Sequence, residues 1–280
     1  MKTRPKQYID ETDFTILDVE TTGLSPNTGD RICEIAAVKI RGGAVIKSFG
    51  TLINPCRPIS AGAYQVNRIS PEMVRDAPMF QEIAEDISSL LKDSVIGAYN
   101  TPFDMGFIKN EFSLAGCSPV KNSTLDVLVL ARQLIPGLEK YSQEFVASAL
   151  GIAFPVKHRA MEDVMITAKL FLTFTSILKA YDLRQVSDLQ RSDLLNHLNN
   201  HRLKVIEAAI STGGKMWLRY LSPTQADMTE SIITPKDIVR EAGSRKENVH
   251  LFAYCHTSKF EKKFLVDRIL DMRLLTENRI

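Results

Sequence analysis

The stretch Phe14–Leu24, which reads FTILDVETTGL, constrains the fold of this chain most strongly. It has the pattern of a short apolar strand that ends on two carboxylates and breaks at Gly23. Asp18 and Glu20 are two residues apart, so on a strand their side chains point to the same face. Neighbouring carboxylates repel one another unless a cation lies between them, and hard divalent cations take such oxygen ligands. A bare D-x-E pattern is more often a solvated strand end, so further residues must decide.

The composition is that of a folded globular chain. Its 280 residues suffice for one large domain or two smaller ones, and 44% of them are hydrophobic. The net charge of +2 gives no global sign of a nucleic-acid partner. The four cysteines show no C-x-x-C spacing, so a zinc ribbon or redox motif is not indicated. Without an apolar signal segment or a membrane-crossing run, we expect a reduced, cytoplasmic protein with no membrane partner.

Hydrophobic periodicity predicts an α/β region at the front of the chain. The first three strands, which end near residue 53, form an antiparallel meander with a hairpin turn at 41–44. A strand at 94–100 follows a helix, which makes it a candidate parallel partner of the first strand. Helices are predicted at 80–91, 103–115, 125–134, 142–150 and 160–180.

The pattern changes toward the end of the chain. Residues 181–200 lack Pro and Gly and predict a helical connector, and a further helix covers 203–210. Short strand-like runs then predict a small β-barrel or curled sheet; they lie at 216–221, 230–234, 237–241, 249–255 and 264–269. The predicted domains are therefore 1–180, a connector at 181–200, and 201–280.

Two further acidic positions change the interpretation of Asp18 and Glu20. Asp104 follows the 94–100 strand at a helix start, and Asp163 lies in the first turn of the 160–180 helix, five residues after His158. Singly, these residues are commonly a helix cap, a surface histidine and an acid that favours the helix dipole. Together they converge on the carboxyl ends of neighbouring strands, where ligands bind in such sheets. Four carboxylates and a histidine fit two divalent metals and a general base.

The motifs DVETTGL, Asn-x-x-Phe-Asp and His-x-x-x-x-Asp, in this order, resemble those of the DEDDh or DnaQ-like 3′→5′ exonucleases. The resemblance covers roughly the first 180 residues and implies an RNase H-like fold, a mixed five-stranded sheet flanked by helices. It further implies that His158 deprotonates the attacking water. The carboxylates that would hold two Mg²⁺ or Mn²⁺ ions are Asp18, Glu20, Asp104 and Asp163.

The resemblance also implies a pocket for the 3′-terminal nucleotide. Many family members have His-Asn before the second motif, whereas Tyr99 stands before the asparagine here, which could alter how the nucleotide is positioned. Other carboxylates are assigned no catalytic role: Glu34 either supports the site or faces solvent, and Asp126 and Glu162 are structural. The expected pocket residues are Thr21, Thr22, Gly23, Leu24, Asn100 and Phe103.

The tail, about residues 200–275, resembles a WYL domain, a small Sm-like barrel, although of the naming triplet only Leu251 is present. Such domains are associated with nucleic acids or nucleotide-like ligands. That resemblance makes Arg219, Tyr220, Tyr254 and Arg268 candidate contacts. The alternative is that Tyr220, Tyr254 and Phe264 fill the barrel core, since alternate residues of a barrel strand point inward, and that Arg268 pairs with Asp267 or another acid.

These patterns favour a metal-dependent exonuclease that acts on single-stranded nucleic acid with a free 3′ end. DNA is the favoured substrate, in repair or proofreading. One alternative is an exoribonuclease that trims RNA, because contacts to the 2′-hydroxyl cannot be identified from motifs. Another is a non-catalytic nucleic-acid-binding regulator that acts through the WYL-like domain.

Overall fold

The computed structural model describes residues 6–153, 159–222, 228–242 and 247–275. The chain folds into two compact units. The first comprises Met1–Val129, Phe154–Thr173 and Arg184–Gln190, and the second comprises Leu130–Ala153, Phe174–Leu183 and Arg191–Ile280.

The first unit is built on a mixed five-stranded sheet. Its strands are β1 (Asp13–Thr21), β2 (Ile32–Arg41), β3 (Ala44–Leu52), β4 (Ser94–Ala98) and β5 (Thr124–Asp126), and their spatial order is β3-β2-β1-β4-β5. β1, β2 and β3 pair antiparallel, whereas β4 runs parallel to both β1 and β5. The predicted meander and parallel pairing are therefore confirmed. β5 occupies the start of the segment predicted as a helix at 125–134.

The local sequence explains the meander and its central strand. Gly42 and Gly43 have φ values of 58° and 83°, and a two-residue hairpin turn with positive φ matches the twist of the strands that it joins. In the central strand β1, residues 14–17 are all buried, because α/β sheets are covered on both faces. The two carboxylates of this strand therefore follow directly after a fully buried segment.

Eight α-helices lie in the described residues, and the last departs from prediction. We expected a helical connector at 181–200 and a separate helix at 203–210, but one continuous helix runs from Leu194 to Thr212 and ends at Gly213 in the left-handed conformation. No Pro or Gly interrupts that stretch, so propagation continues once the helix has begun. The helices are α1 (Ala61–Asn67), α2 (Pro71–Val74), α3 (Phe80–Leu91), α4 (Thr101–Leu114), α5 (Val127–Leu134), α6 (Gln143–Ala149), α7 (Ala160–Ala180) and α8 (Leu194–Thr212).

The second unit contains an antiparallel five-stranded sheet. Its strands are β6 (Lys215–Leu221), β7 (Met228–Ala242), β8 (Glu247–Cys255), β9 (Phe260–Leu265) and β10 (Ile269–Leu275), in the order β10-β6-β7-β8-β9. The runs predicted at 230–234 and 237–241 are one strand with an irregular register between Pro235 and Asp237. The two ends of this order, β9 and β10, do not pair within the described residues, so the predicted closed Sm-like barrel is not confirmed.

Within the described part of the chain, none of the helices combines the length and apolar character needed to cross a membrane.

A buried ion pair joins α4 to the start of β2. Glu111 is 1% exposed and accepts hydrogen bonds from Arg31 Nε and Nη2, both at 2.7 Å, and from the Ile32 N–H at 3.1 Å. The pair therefore fixes the helix that carries Asp104 against the strand that borders β1.

We expect Glu111→Ala to lower the free energy of unfolding by about 3 kcal/mol, because it leaves a guanidinium and a buried N–H without their acceptor. Urea denaturation measures this change. Glu85→Ala on the exposed face of α3 is the control and should shift stability by less than about 0.5 kcal/mol. Equal stability of the two variants would contradict the assignment.

Candidate active site

Three carboxylates meet at the end of β1. Asp18 and Glu20 are alternate residues of that strand, and Asp163 comes from the first turn of α7. One carboxylate oxygen of each lies within 4.8 Å of the other two, and all three residues are partly exposed. The structure therefore brings Asp163 together with two acids that lie far from it in the sequence.

Asp104 joins this group through the parallel pairing of β1 and β4. Because the two strands run in the same direction, the start of α4 after β4 lies beside the end of β1. The Asp104 carboxylate is 3% exposed and its Oδ1 accepts a hydrogen bond from the Val19 N–H at 3.2 Å. Asp104 is thus held between Asp18 and Glu20 along the strand.

Burial and mutual repulsion raise the pKa values of these acids. The pKa of Asp18 lies well above its usual range because of burial, then because of the charges of Asp104, Glu20 and Asp163. Burial raises the pKa of Glu20 to about 7, helped by the charge of Asp163. Burial also raises the pKa of Asp104 to about 8, opposed by its backbone hydrogen bonds. Such a set of hard oxygen donors suits Mg²⁺ or Mn²⁺, which would relieve the repulsion.

Two residues beside the acids have contacts that the sequence did not predict. Asn67 is 2% exposed; its side chain donates to the Thr21 carbonyl at 3.3 Å, and a hydrogen bond from it lowers the pKa of Glu20. It lies in a segment of loop and short helix, where no sequence pattern indicates such a contact. Glu34, for which the sequence leaves two roles open, lies directly opposite Glu20 in the register of β1 and β2 and is 6% exposed.

The predicted nucleotide-pocket residues after β1 form a braced turn. Thr21 Oγ1 donates to the Gly23 carbonyl at 2.6 Å, and Thr22 Oγ1 donates to Asp30 Oδ1 at 3.3 Å. A Cβ at Gly23 would lie 2.3 Å from Asp30 Oδ2, so a larger residue there would displace the Asp30 carboxylate from its contact with Thr22. Leu24, 86% exposed, is the tip of this turn.

The other predicted pocket residues lie at the start of α4. Asn100 adopts φ 75° and ψ 52°, and its N–H donates to Asp126 Oδ1 at 3.2 Å. Asp126 also accepts from the Leu128 N–H at 2.9 Å, in keeping with its structural assignment. The ring of Phe103 packs against Phe107 with centroids 5.1 Å apart. His158, the predicted general base, lies outside the described residues.

The four candidate contacts of the tail divide into two pairs. Tyr220 is 8% exposed and packs edge-to-face on Phe264, and Arg268 is 3% exposed and donates to the Gly137 carbonyl at 2.5 Å. Tyr220 lies in the interior of the second unit, where the core alternative places it. Arg268 is also buried there, with a backbone carbonyl as its hydrogen-bond acceptor. Arg219 and Tyr254 are only partly buried.

Trp217, the one tryptophan of the chain, lies in the tail and was not singled out from the sequence patterns. Arg219 and Arg273 both place their guanidinium groups over its ring, at 5.5 and 4.6 Å from the centroid. The period-two alternation of β6 groups Trp217 with Arg219 on one face of the strand, and that alternation is the signal that could have identified it.

Comparison with known proteins finds family matches for both parts of the chain. The RNase_T family model, described as Exonuclease, matches residues 15–171, and the WYL domain model matches residues 201–274. The chain is 33% identical over 211 residues to "DNA polymerase III PolC-type" of Caldanaerobacter subterraneus subsp. tengcongensis, an alignment that covers 75% of this chain and 15% of that protein. It is 35% identical over 178 residues to "3′-5′ exonuclease DinG" of Bacillus subtilis, covering 64% of this chain and 19% of that protein. The chain therefore spans less than a fifth of the length of these relatives.

A solved structure shows the same fold. The crystal structure of E. coli Exonuclease I in complex with a dT13 oligonucleotide matches with a TM-score of 0.56 and 19% identity, over 96% of this chain and 66% of that one. The motif-based resemblance to DnaQ-like exonucleases, and that of the tail to WYL domains, are thus both confirmed. With its carboxylates gathered at the end of β1 and the family model matching more than half of its length, the chain belongs to the RNase_T exonuclease family and carries a WYL domain after the exonuclease region.

Proposed function

We propose that this chain is a metal-dependent 3′→5′ exonuclease that hydrolyses phosphodiester bonds at the 3′ end of single-stranded nucleic acid, with DNA as the preferred substrate. The observation that carries the proposal is the approach of the Asp18, Glu20 and Asp163 carboxylates to within 4.8 Å of one another, beside the buried Asp104. Relatives named as DNA polymerases and as a 3′-5′ exonuclease support DNA and this direction of cleavage.

The residues at the site fit two divalent cations. Asp18, Glu20, Asp104 and Asp163 would hold them, and Arg159 leaves their charge largely uncompensated because its guanidinium is hydrogen-bonded to Glu34. Bound there, the two ions would supply an activated water and stabilisation of the charge that develops on the leaving oxygen.

The remaining steps belong to the chain's own side chains. His158 is the proposed acceptor of the proton from the attacking water, a role that a histidine with a pKa near neutrality performs well. The turn from Thr21 to Leu24, with Asn100 and Phe103, would position the terminal nucleotide. The exposed side chain of Leu24 and the ring of Phe103 offer apolar surface for a base.

The outer residues of the second unit are proposed to hold more of the strand. Arg219 and Tyr254 are the predicted contacts that remain accessible there, whereas Tyr220 and Arg268 are buried. Guanidinium groups and aromatic faces bind single strands with little sequence preference. The E. coli complex with dT13 gives this fold a precedent for single-stranded DNA.

The activity test is a time course with 5′-labelled single-stranded DNA and RNA of one sequence, in Mg²⁺ or Mn²⁺. We expect a ladder that shortens from the 3′ end, faster on DNA and abolished by EDTA. Asp18→Asn should reduce the rate by a factor of about 10³ or more, because it removes a charged metal ligand at the reacting end.

Asp86→Asn, an exposed acid on α3, is the matched control for this substitution and should cleave like the wild type. Faster shortening of RNA would instead support the exoribonuclease alternative. Binding of the DNA and the RNA without cleavage of either would contradict the enzyme proposal and favour a nucleic-acid-binding regulator.

The raised pKa values predict how the metal-free protein responds to pH. In the unfolded chain Glu20 and Asp104 lose their protons near pH 4, whereas the folded state holds them up to about pH 7 and 8. The folded state therefore binds more protons between these limits, and the free energy of unfolding falls as pH rises from about 4.5 to 8. In EDTA we expect the Tm of the first unit to drop by about 10 °C between pH 5.5 and pH 8.

Mn²⁺ should reverse this drop, because it competes with protons and binds the ionised acids best at pH 8. Scanning calorimetry with and without the metal measures both effects. Asp104→Asn should have a weaker pH dependence in EDTA. A Tm that is the same at both pH values in EDTA, with no larger Mn²⁺ effect at pH 8, would show that the acids are not destabilised as described.

A further inference from the structure

Glu34 connects the sheet to the start of α7. Its carboxylate accepts hydrogen bonds from Arg159 Nη2 at 2.6 Å and from Arg159 Nε at 3.1 Å, and its Oε2 accepts the Ala160 N–H at 3.2 Å. All of these donors belong to two consecutive residues. A planar guanidinium that binds through two nitrogens fixes orientation as well as distance.

The Ala160 N–H lies in the first turn of α7, where backbone donors lack partners within the helix. A carboxylate at this end also interacts favourably with the helix dipole. Glu34 thus holds the N-terminus of α7 by a side-chain contact and a backbone contact. Asp163 follows three residues after Ala160, less than one turn along the same helix.

The other end of the connection is the strand pair β1–β2. Glu34 and Glu20 are direct cross-strand partners, so the anchor for α7 is one strand away from the carboxylates that Asp163 must meet. A shift of α7 along β2 would move Asp163 out of the 4.8 Å group. The contacts of Glu34 with Arg159 and Ala160 oppose such a shift.

Arg159 is the ion-pair partner of Glu34, and its charge acts only secondarily on the metal-binding acid Glu20. Its side chain is 41% exposed, whereas that of Glu34 is 8% exposed, so the arginine reaches in from solvent to a buried acceptor. Its charge lowers the pKa of Glu20, but burial and the charges of Asp163 and Glu34 raise that pKa by more. A guanidinium that turned toward Glu20 would instead weaken the attraction of the site for cations.

We propose that Glu34 and Arg159 form a positioning pair that locks the start of α7 to β2 and so keeps Asp163 within metal-binding distance of Asp18 and Glu20. The inference rests on the proposed function, since it assigns this pair to the same metal site. Neither residue is a metal ligand or a substrate contact in this role. Both act through Asp163.

The test is a double-mutant cycle with Glu34→Gln, Arg159→Met and the double variant. Apparent Mn²⁺ affinity is read from the metal-dependent rise in Tm, which needs no catalysis, and kcat and KM are read with 5′-labelled single-stranded DNA. We expect each single variant to weaken Mn²⁺ binding and to lower kcat by about tenfold, with KM for DNA within about twofold of wild type. The double variant should be no worse than the more severe single variant.

Arg159→Lys keeps the charge without the two-nitrogen contact and should fall between wild type and Arg159→Met. Arg41→Met removes another arginine that is paired with an acid of this sheet, Asp13, and should leave Mn²⁺ affinity unchanged. Because Arg159 is partly exposed, its variants test the pair even where Glu34→Gln folds poorly. Circular dichroism checks folding in each case.

The proposal would be overturned if the Arg159 variants kept Mn²⁺ affinity and kcat within about twofold of wild type. It would also be overturned if the effects of the two single substitutions added in the double variant. A wild-type chain that binds Mn²⁺ without cleaving either nucleic acid would contradict the proposed function alone. In that case the Mn²⁺ affinities of the variants still decide whether the pair positions Asp163.

Discussion

The mutual repulsion of the largely desolvated carboxylates at the end of β1 is the constraint on which the rest of the first unit depends. Asp18, Glu20 and Asp104 are all pushed toward the protonated state by burial and by one another. Uncharged hydrogen-bond donors contact two of them: the Val19 N–H donates to Asp104, and the Asn67 side chain donates to Glu20 and lowers its pKa. Each contact stabilises an acid without cancelling its charge, which suits a site built for cations.

The mixed sheet makes this convergence possible. A purely antiparallel arrangement would place the end of β4 at the opposite edge from the end of β1, and Asp104 would lie far from Asp18. The parallel pairing of β1 with β4 instead brings the start of α4 to the acids. The antiparallel pairing of β1 with β2 then places Glu34 opposite Glu20, where it can anchor α7. The two kinds of pairing therefore have separate roles at one site.

Much of this could be predicted from the sequence, because the relevant rules are local. The spacing of Asp18 and Glu20 fixes their common face, and the helix between the third and fourth strands predicts a parallel partner for β1. The roles of Glu34 and Asn67 could not be predicted, since each depends on contacts between segments far apart in the chain. The tail shows the same limit. Tyr220 points inward and Trp217 outward because of which face of β6 is covered, and strand alternation alone does not determine that face.

The charge of the site favours the proposed enzyme over the alternative of a non-catalytic scaffold. Fully ionised, Asp18, Glu20, Asp104, Asp163 and Glu34 together with Arg159 carry a formal charge of −4, which two divalent cations neutralise. Asp126 is not counted in this set: its charge also raises the pKa of Asp104, but backbone N–H groups of Asn100 and Leu128 bind its carboxylate. Without cations the ionised acids destabilise the folded chain at neutral pH, and amides of the same shape would remove that cost. A nucleic-acid-binding scaffold gains nothing from such acids, and they would also repel the phosphates of its ligand. The proposed metal ions would account for these acids, because they would occupy the space between the carboxylates and bind the phosphodiester.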